Sequence, residues 1–310
     1  MLSSDPWLAL AIVAVVAGIL GLVIGSFLNV VIYRVPAGMS LLRESRCPRC
    51  DAPVRWYQNV PVLSWLLLRG RCANCHAPIS ARYPLVELMT GLVFAWIGVW
   101  WVVGTGRLGW GGPYDTVPAG PLGSFDAIVL ALTRASGVTG PLGAQLLVLL
   151  AFLWFAASGI SLTLIDIDTR RLPHAITGST LFVCLGLLVA ACLLGADWWA
   201  LGRAVVSAAA LYLFYRVLRA IRPGGMGGGD VRLAASIGLM LGWLGWWPLA
   251  VGAFMAFLLG GVFGIALILS GRARRRTAIP FGPWIVIGAW VGIVAGELFG
   301  RSYVSLLGAL

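Results

Sequence analysis

Charged side chains are scarce in this chain, because only 11% of its 310 residues are Asp, Glu, Lys or Arg. A soluble protein of this size carries roughly twice that fraction, so an ordinary soluble domain is excluded. Hydrophobic residues make up 60% of the sequence, and the mean hydropathy is +0.95. The composition therefore indicates that most of the chain lies in a lipid bilayer.

Apolar runs of about 20 residues, the length that a membrane-spanning helix needs, occur repeatedly along the sequence. We therefore predict an all-α polytopic membrane protein with about eight transmembrane helices and a small cytoplasmic loop module that binds zinc. The first run is too long for a signal-peptide core and lacks a basic segment before it, so we predict a retained helix. The predicted spans are 7–33, 84–103, 144–165, 175–195, 199–218, 231–247 (the weakest), 249–270 and 279–299.

Lysine is absent, so all 22 basic residues are arginine, and the net charge is +11. With eight spans and an outer N-terminus, most arginines fall on one side, which the positive-inside rule identifies as cytoplasmic. They lie in 34–82, at 170–171, in 216–232 and in 271–277. Nucleic-acid binding is disfavoured because no basic stripe is interleaved with exposed aromatic residues. Attraction to anionic membrane lipids is expected.

These features divide the sequence into four predicted segments: a first transmembrane helix (1–33), a cytoplasmic four-cysteine loop (34–83), a second transmembrane helix with an outer Gly/Pro-rich loop (84–143), and a membrane domain (144–310). The outer loop is expected to be irregular apart from a short apolar stretch at 126–135. No convincing internal repeat is visible.

Four of the six cysteines occur as two C-x-x-C pairs, "CPRC" at 47–50 and "CANC" at 72–75. Two such pairs can supply four thiolates to a tetrahedral zinc ion, whose binding would provide much of the folding energy of a small loop. A disulfide is disfavoured in a reducing cytoplasm, and a redox motif would need a single pair in a βαβ unit. Reduced cysteines without metal also remain an alternative. We predict structural zinc on Cys47, Cys50, Cys72 and Cys75, with His76 as a bystander.

Acidic side chains occur at the ends of two spans that should face the same side. Asp166 and Asp168 end the third span, and Asp230 begins the sixth after a run of glycines. Such acids can simply lie in the interface, and a helix N-terminus favours an anion. However, ionisable groups at membrane depth are usually functional. Two carboxylates that share a proton can activate a water between them, which is aspartic protease chemistry without a metal.

Five sequence blocks, together with the paired cysteines, make a specific pattern over nearly the whole chain. They are "GSFLNVVIYRVP" (25–36), "YQNVPVLSWLLLRGRC" (57–72), "ISARYPLVELMTG" (79–91), "LIDIDTRRLP" (164–173) and "GMGGGDVRL" (225–233). In these blocks the chain resembles the bacterial prepilin peptidases, the type IV leader peptidases of the GxGD aspartyl protease group.

The resemblance implies cleavage of the basic leader of prepilins and pseudopilins after a glycine, at the cytoplasmic face of the bacterial inner membrane. It implies Asp166 and Asp230 as the catalytic acids, with Asp168 as the alternative partner of Asp230. It also implies N-methylation of the new terminus with S-adenosylmethionine as methyl donor. The chain departs from the family pattern at His174, where Asp or Asn is frequent, and at Arg232, where Lys is frequent.

The methyl donor has no recognisable site, because no strand–GxGxxG–helix unit is present. The resemblance places methylation in the N-terminal cytoplasmic region, including Gly70, which is a candidate donor-binding residue. From the residues alone, Gly70 more simply suits a turn before Cys72. Glu87, near the cytoplasmic start of the second span, either pairs with an arginine such as Arg82 or binds the substrate or the methyl donor, so it is the second candidate.

Two other classes of protein compete with the peptidase hypothesis. An ion-coupled membrane transporter could use the acids as a proton relay, and Gly-rich breaks in helices fit that class. Its acids should lie near the bilayer midplane, whereas these are predicted near one face. A non-catalytic, zinc-bearing scaffold of a secretion machine would work without either acid.

Overall fold

The computed structural model describes residues 6–104, 141–221, 226–271, 280–306 and 308. Within these ranges the regular structure is helical, apart from two isolated β-bridges in the four-cysteine segment. The predicted outer-loop features at 105–140 and most of the last arginine cluster, 272–279, lie outside the described residues. The helices are α1 (Pro6–Arg34), a 3-10 turn (Trp56–Asn59), α2 (Leu63–Leu67), α3 (Arg82–Gly104), α4 (Leu142–Thr169), α5 (His174–Leu193), α6 (Trp198–Ile221), α7 (Gly228–Leu244), α8 (Trp246–Leu269) and α9 (Gly282–Leu306).

The prediction of an all-α polytopic membrane protein is confirmed, since each predicted span coincides with one long helix of the structure. Seven of the described helices are long and apolar enough to cross a bilayer, namely α1, α3, α4, α5, α6, α8 and α9. The remaining long helix, α7, has only 17 residues. It corresponds to the span that the sequence predicted most weakly.

Most of helix α7 is buried by the rest of the protein. Of its 17 residues, 14 are buried. A Cβ atom at Gly238 would collide with the backbone of Ser207 in α6, so the two helices touch through small residues, as membrane helices commonly do. Arg203 of α6 caps the other end of α7 by donating to the carbonyls of Gly242 and Trp243, both at 2.7 Å. A central, shielded helix does not need strong hydropathy.

The chain divides into two compact units, Met1–Val99 and Trp100–Leu310. In the first unit, α1 and α3 pack backbone against backbone, because a Cβ atom at Gly25 would lie 2.7 Å from the Cα atom of Glu87. The side-chain amide of Asn29 also donates to the Tyr83 carbonyl at 3.1 Å. The second unit contains α4 to α9 and both predicted catalytic acids.

Candidate functional site

The structure brings together two of the three predicted acids. Asp166 lies in the last turn of α4 and Asp230 in the first turn of α7. Their side chains are buried, with 5% and 7% of their surface exposed, and they are close enough to interact electrostatically. Asp168 is exposed at the end of α4. The geometry therefore favours Asp166 over Asp168 as the partner of Asp230.

Each buried carboxylate accepts a hydrogen bond from one backbone amide. The N–H of Gly282, the first residue of α9, donates to Asp166 Oδ2 at 3.0 Å. The N–H of Gly227 donates to Asp230 Oδ2, also at 3.0 Å. The second bond is the return half of a capping box, since Asp230 reaches back to the N-cap amide of its own helix. One oxygen of each acid is thereby fixed.

Gly282 is a site residue that the sequence analysis did not find. A Cβ atom at this position would lie 2.8 Å from Asp166 Oδ2, so only glycine lets the helix start come this close. The "FGP" before the last apolar run indicates a helix start, because proline suits the first turn. Nothing in that local pattern connects it to an acid 116 residues earlier.

Two of the glycines before Asp230, Gly228 and Gly229, are explained by the protein's own packing. A Cβ atom at Gly229 would collide with the side chain of Leu172 and lie 3.2 Å from its carbonyl oxygen. At Gly228 it would lie 2.7 Å from Nη1 of Arg219 in α6. The segment that follows α4 and the end of α6 therefore press directly on the glycine run, which fixes where Asp230 begins its helix.

The two departures from the family pattern form a single contact. Nη1 of Arg232 lies against Nδ1 of His174, and since a guanidinium has no acceptor, the imidazole nitrogen accepts. Both side chains line a cavity of about 330 Å³ between α5, α6 and α7. The two residues lie in separate blocks of sequence, and no local pattern connects them.

The four predicted zinc ligands also come together. The Sγ atoms of Cys47, Cys50, Cys72 and Cys75 all lie within 4.8 Å of one another, and His76 is not part of the group. Those of Cys47 and Cys75 are 3.8 Å apart. A tetrahedral ion with Zn–S bonds of about 2.3 Å requires sulfur–sulfur separations of about 3.8 Å. The donor set and its spacing fit a structural zinc ion.

The cysteine pairs belong to an internal repeat, so the expectation of no repeat is wrong for this segment. "RCPRCDAP" (46–53) and "RCANCHAP" (71–78) share their cysteines, arginine, alanine and proline. The N–H of each first cysteine donates to the carbonyl of the alanine five residues later, at 2.9 Å in both copies. The residue after each second cysteine, Asp51 or His76, has positive φ, 54° and 55° respectively. His76 therefore serves the turn through its backbone.

The turns also favour the thiolate form of the first cysteine in each pair. The backbone N–H groups of Arg49 and Cys50 lower the pKa of Cys47 to about 6. Those of Cys75 and Asn74 lower the pKa of Cys72. Since the thiolate is the form that binds metal, the amides at the start of each pair favour coordination.

Gly70 is needed by the fold of the cysteine segment. Its φ is +67°, which favours glycine, and a Cβ atom there would lie 2.9 Å from the indole ring of Trp65. Its carbonyl accepts the N–H of Ile79 at 2.7 Å, which joins the two sides of the second cysteine turn. These contacts support the turn that the sequence suggested at this position.

Glu87 holds a strained turn in the same unit. Its buried Oε2 accepts the N–H of Val62 at 2.7 Å, and the Ser26 hydroxyl also bonds to this carboxylate. Val62 has φ 60° and ψ −49°, and the Leu63 N–H reaches the Pro61 carbonyl at 2.5 Å across it. This is a γ-turn of the rare, strained hand, here on a β-branched residue. A backbone amide is thus a partner of Glu87.

Comparison with known proteins adds independent support. Residues 19–101 match the Bacterial Peptidase A24 N-terminal domain, and residues 147–269 match the Type IV leader peptidase family. The chain is 33% identical to a protein of Aeromonas salmonicida (strain A449), over 97% of this chain and 96% of that relative. It is 33% identical to one of Neisseria gonorrhoeae, over 92% of each. A third, of Myxococcus xanthus (strain DK1622), is 36% identical over 85% of this chain and 66% of its own length.

All three relatives are named prepilin leader peptidase/N-methyltransferase. No solved structure matches the chain. The first matched range contains the cysteine segment, and the second contains the paired acids. The chain belongs to the type IV leader peptidase family.

Proposed function

We propose that the protein is a membrane aspartyl endopeptidase that removes the basic leader of type IV prepilins and pseudopilins by cleavage after a glycine. The observation that carries the proposal is the pair of buried acids, Asp166 and Asp230, each fixed by a backbone amide. The names of the relatives supply the substrate class.

In the proposed reaction, Asp166 and Asp230 share one proton. One carboxylate removes a proton from a water molecule while the water oxygen bonds to the scissile carbonyl carbon. At the same time the protonated acid donates its proton to the carbonyl oxygen. Collapse of the tetrahedral intermediate breaks the C–N bond. The leaving nitrogen takes a proton from one acid, and the other acid takes a proton back from a hydroxyl of the intermediate, so the pair again shares one proton. Because the pair titrates as one unit, the rate should follow a bell-shaped pH profile whose two limbs belong to both acids.

The position of the acids favours the peptidase over an ion-coupled transporter. Asp166 lies in the last turn of a 28-residue helix and Asp230 in the first turn of a 17-residue one, so both lie near helix ends rather than in the middle of a span. A prepilin could therefore keep its apolar helix in the bilayer while its leader reaches the acids from the side. From the arginine distribution we propose that this side is the cytoplasmic face of the inner membrane.

For the four-cysteine segment we propose a structural zinc ion held by Cys47, Cys50, Cys72 and Cys75. The ion would link the two repeat turns and contribute no chemistry to the peptidase. The short spacing of the four sulfur atoms and the amides directed at Cys47 and Cys72 support this role.

We further propose that the protein N-methylates the new terminus with S-adenosylmethionine, and that the region from Gly70 to Glu87 serves this activity. The support is the second half of the relatives' names. Gly70 packs against Trp65, and Glu87 bonds to Val62, so both residues would contribute by shaping the region.

One experiment tests both activities. The full-length protein, purified in detergent, is incubated with a prepilin, with and without S-adenosylmethionine, and the products are weighed by mass spectrometry. We expect cleavage after the glycine in both samples and a gain of about 14 Da, the net addition of one CH₂ when a methyl group replaces a hydrogen, only with the methyl donor. An uncleaved prepilin would refute the peptidase, and a product without the added mass would refute the methylation.

A further inference from the structure

The second unit contains one buried polar group beside the acids that the proposed reaction has not yet used. Tyr215 of α6 has no exposed surface, and its hydroxyl finds no hydrogen-bond partner among the described residues. Buried hydroxyls without a partner are uncommon in folded proteins, because leaving one unpaired costs roughly 1–3 kcal/mol. Such a group calls for an explanation.

The packing of α6 on α7 puts Tyr215 at the level of Asp230. Ser207, Tyr215 and Arg219 recur at multiples of four along α6 and thus follow one ridge that winds slowly around the helix. At one end of this ridge Ser207 meets Gly238 of α7, and at the other end Arg219 meets Gly228. Tyr215 lies about 6 Å along the axis from Arg219, and Asp230 about 3 Å from Gly228, by a rise of about 1.5 Å per residue.

The electrostatics agree with this placement, since the charge of Asp230 is close enough to act on the Tyr215 hydroxyl. The tyrosine ring is also firmly held. Its centroid lies 5.4 Å from that of Phe257 and 6.4 Å from that of Phe281, the residue just before Gly282. The hydroxyl is therefore fixed beside Asp230 by a ring that packs next to the residue holding Asp166.

We propose that Tyr215 is a further catalytic residue, whose hydroxyl donates a hydrogen bond to the carbonyl oxygen of the scissile peptide as negative charge develops there. This inference rests on the proposed peptidase activity. The bond requires no proton transfer, because the tyrosine only stabilises the tetrahedral intermediate and releases it when the C–N bond breaks. Its acceptor arrives with the substrate, which explains why a buried donor stands without a partner.

The test is Tyr215→Phe, which removes the hydroxyl and keeps the ring in its aromatic cluster. We expect kcat for prepilin cleavage to fall about 10²- to 10³-fold, the effect of removing one donor to a developing oxyanion. KM should change by less than about threefold, since the bond is strong only in the transition state. The thermal midpoint should stay equal or rise, because no protein hydrogen bond is lost.

Ser207→Ala is the matched control. Its hydroxyl is also buried without a partner, on the same ridge of α6, but it lies about 12 Å along the helix from Tyr215. This variant should cleave at the wild-type rate. A wild-type kcat in Tyr215→Phe, or a slow variant whose thermal midpoint falls, would overturn the inference.

These results are separable from a failure of the proposed function. If Asp230→Asn is inactive and Tyr215→Phe is normal, the peptidase assignment stands and only the role of the tyrosine is wrong. If the wild-type protein does not cleave prepilin, the peptidase assignment itself is wrong, and the inference falls with it.

Discussion

The four-cysteine segment and the paired acids are assembled in opposite ways. Around the cysteines, the decisive backbone bonds join residues five positions apart, such as Cys47 and Ala52, and the same bonds recur in the second copy. Around the acids, the bond between Asp166 and Gly282 joins positions 116 apart. The turns of the cysteine site are therefore determined by short stretches of sequence, whereas the acids come together only when the helices of the second unit pack.

This difference means that the two sites should fail separately. Loss of the metal should unfold a local segment and leave the helices of the second unit in place. A change at a helix contact near the acids should leave the cysteine segment intact but move a carboxylate. A variant at one site that also disrupted the other would show that the two sites do not form independently.

The largest effect is expected from Asp166→Asn and Asp230→Asn. Each should lower prepilin cleavage about 10⁴-fold or more, because an amide can neither share the proton nor activate water, and the double variant should be little worse, as expected for groups that act as one unit. Cleavage is followed by gel and mass spectrometry, with membrane insertion and zinc content measured alongside.

Asp168→Asn is the matched control, since this acid lies two residues from Asp166 on the same helix but is exposed. It should keep most of the activity. An inactive Asp168→Asn together with an active Asp166→Asn would keep the aspartyl mechanism but show that the partner was chosen wrongly. Normal cleavage by Asp230→Asn would reject the mechanism.

The second effect concerns the metal. Cys72→Ser should abolish stoichiometric zinc binding, measured by elemental analysis, and expose the segment between α1 and α3 to proteases, because the fourth thiolate closes the site. Cys184→Ala, which changes a buried cysteine outside the group, should retain about one zinc per chain by the same stoichiometry. Full zinc content in Cys72→Ser, or wild-type protein that purifies without metal while the segment between α1 and α3 stays resistant to proteases, would contradict structural zinc.

Much of the fold could be predicted because a segment that crosses a bilayer must satisfy its own backbone hydrogen bonds and therefore forms a helix. Runs of about 20 apolar residues identify such segments. The weakest span, α7, was weak for a physical reason, since 14 of its residues are buried by protein and need not be apolar enough for lipid. The zinc ligands were predicted for a local reason, their pairing. The internal repeat was also readable, in the shared R-C-x-x-C-x-A-P, but it was missed.

The partners of the acids could not be predicted in the same way. Gly282 looks like an ordinary helix start, and Tyr215 like one more aromatic residue in an apolar run. The contact of His174 with Arg232 joins two separate blocks of sequence. Each of these roles depends on which helices pack together, and that information is spread over the whole chain rather than held in any motif.

The third effect tests this dependence on packing. Gly282→Ala places a methyl group where a Cβ atom would lie 2.8 Å from Asp166 Oδ2, so the carboxylate or the helix start must move. Misplacement of a catalytic group by about 1 Å can lower the rate about 10²-fold, and we expect a loss of about 10- to 10²-fold in kcat. Gly261→Ala is the control, because a Cβ atom there meets nothing within 4 Å. Equal activity of the two variants would mean that the amide of Gly282 does not position Asp166.

The smallest effect is expected at Glu87, whose carboxylate holds the strained turn at Val62. Glu87→Gln keeps an oxygen acceptor but loses the charge, so the thermal midpoint should fall by an amount equivalent to about 1 kcal/mol. Val62→Gly removes the strain of a β-branched residue at φ 60°, which should raise the free energy of unfolding by about 1 kcal/mol. The added flexibility of glycine in the unfolded chain should offset about 0.5–1 kcal/mol of this gain. Prepilin cleavage should stay within about twofold of wild type in both variants, because neither residue lies in the unit that contains the acids.

Methylation of the product, measured by mass spectrometry in the same reactions, separates the two roles of Glu87. Normal methylation in Glu87→Gln would restrict the residue to holding the turn. A selective loss of methylation, with cleavage and the thermal midpoint unchanged, would show that the carboxylate acts directly on the methyl donor or on the new terminus.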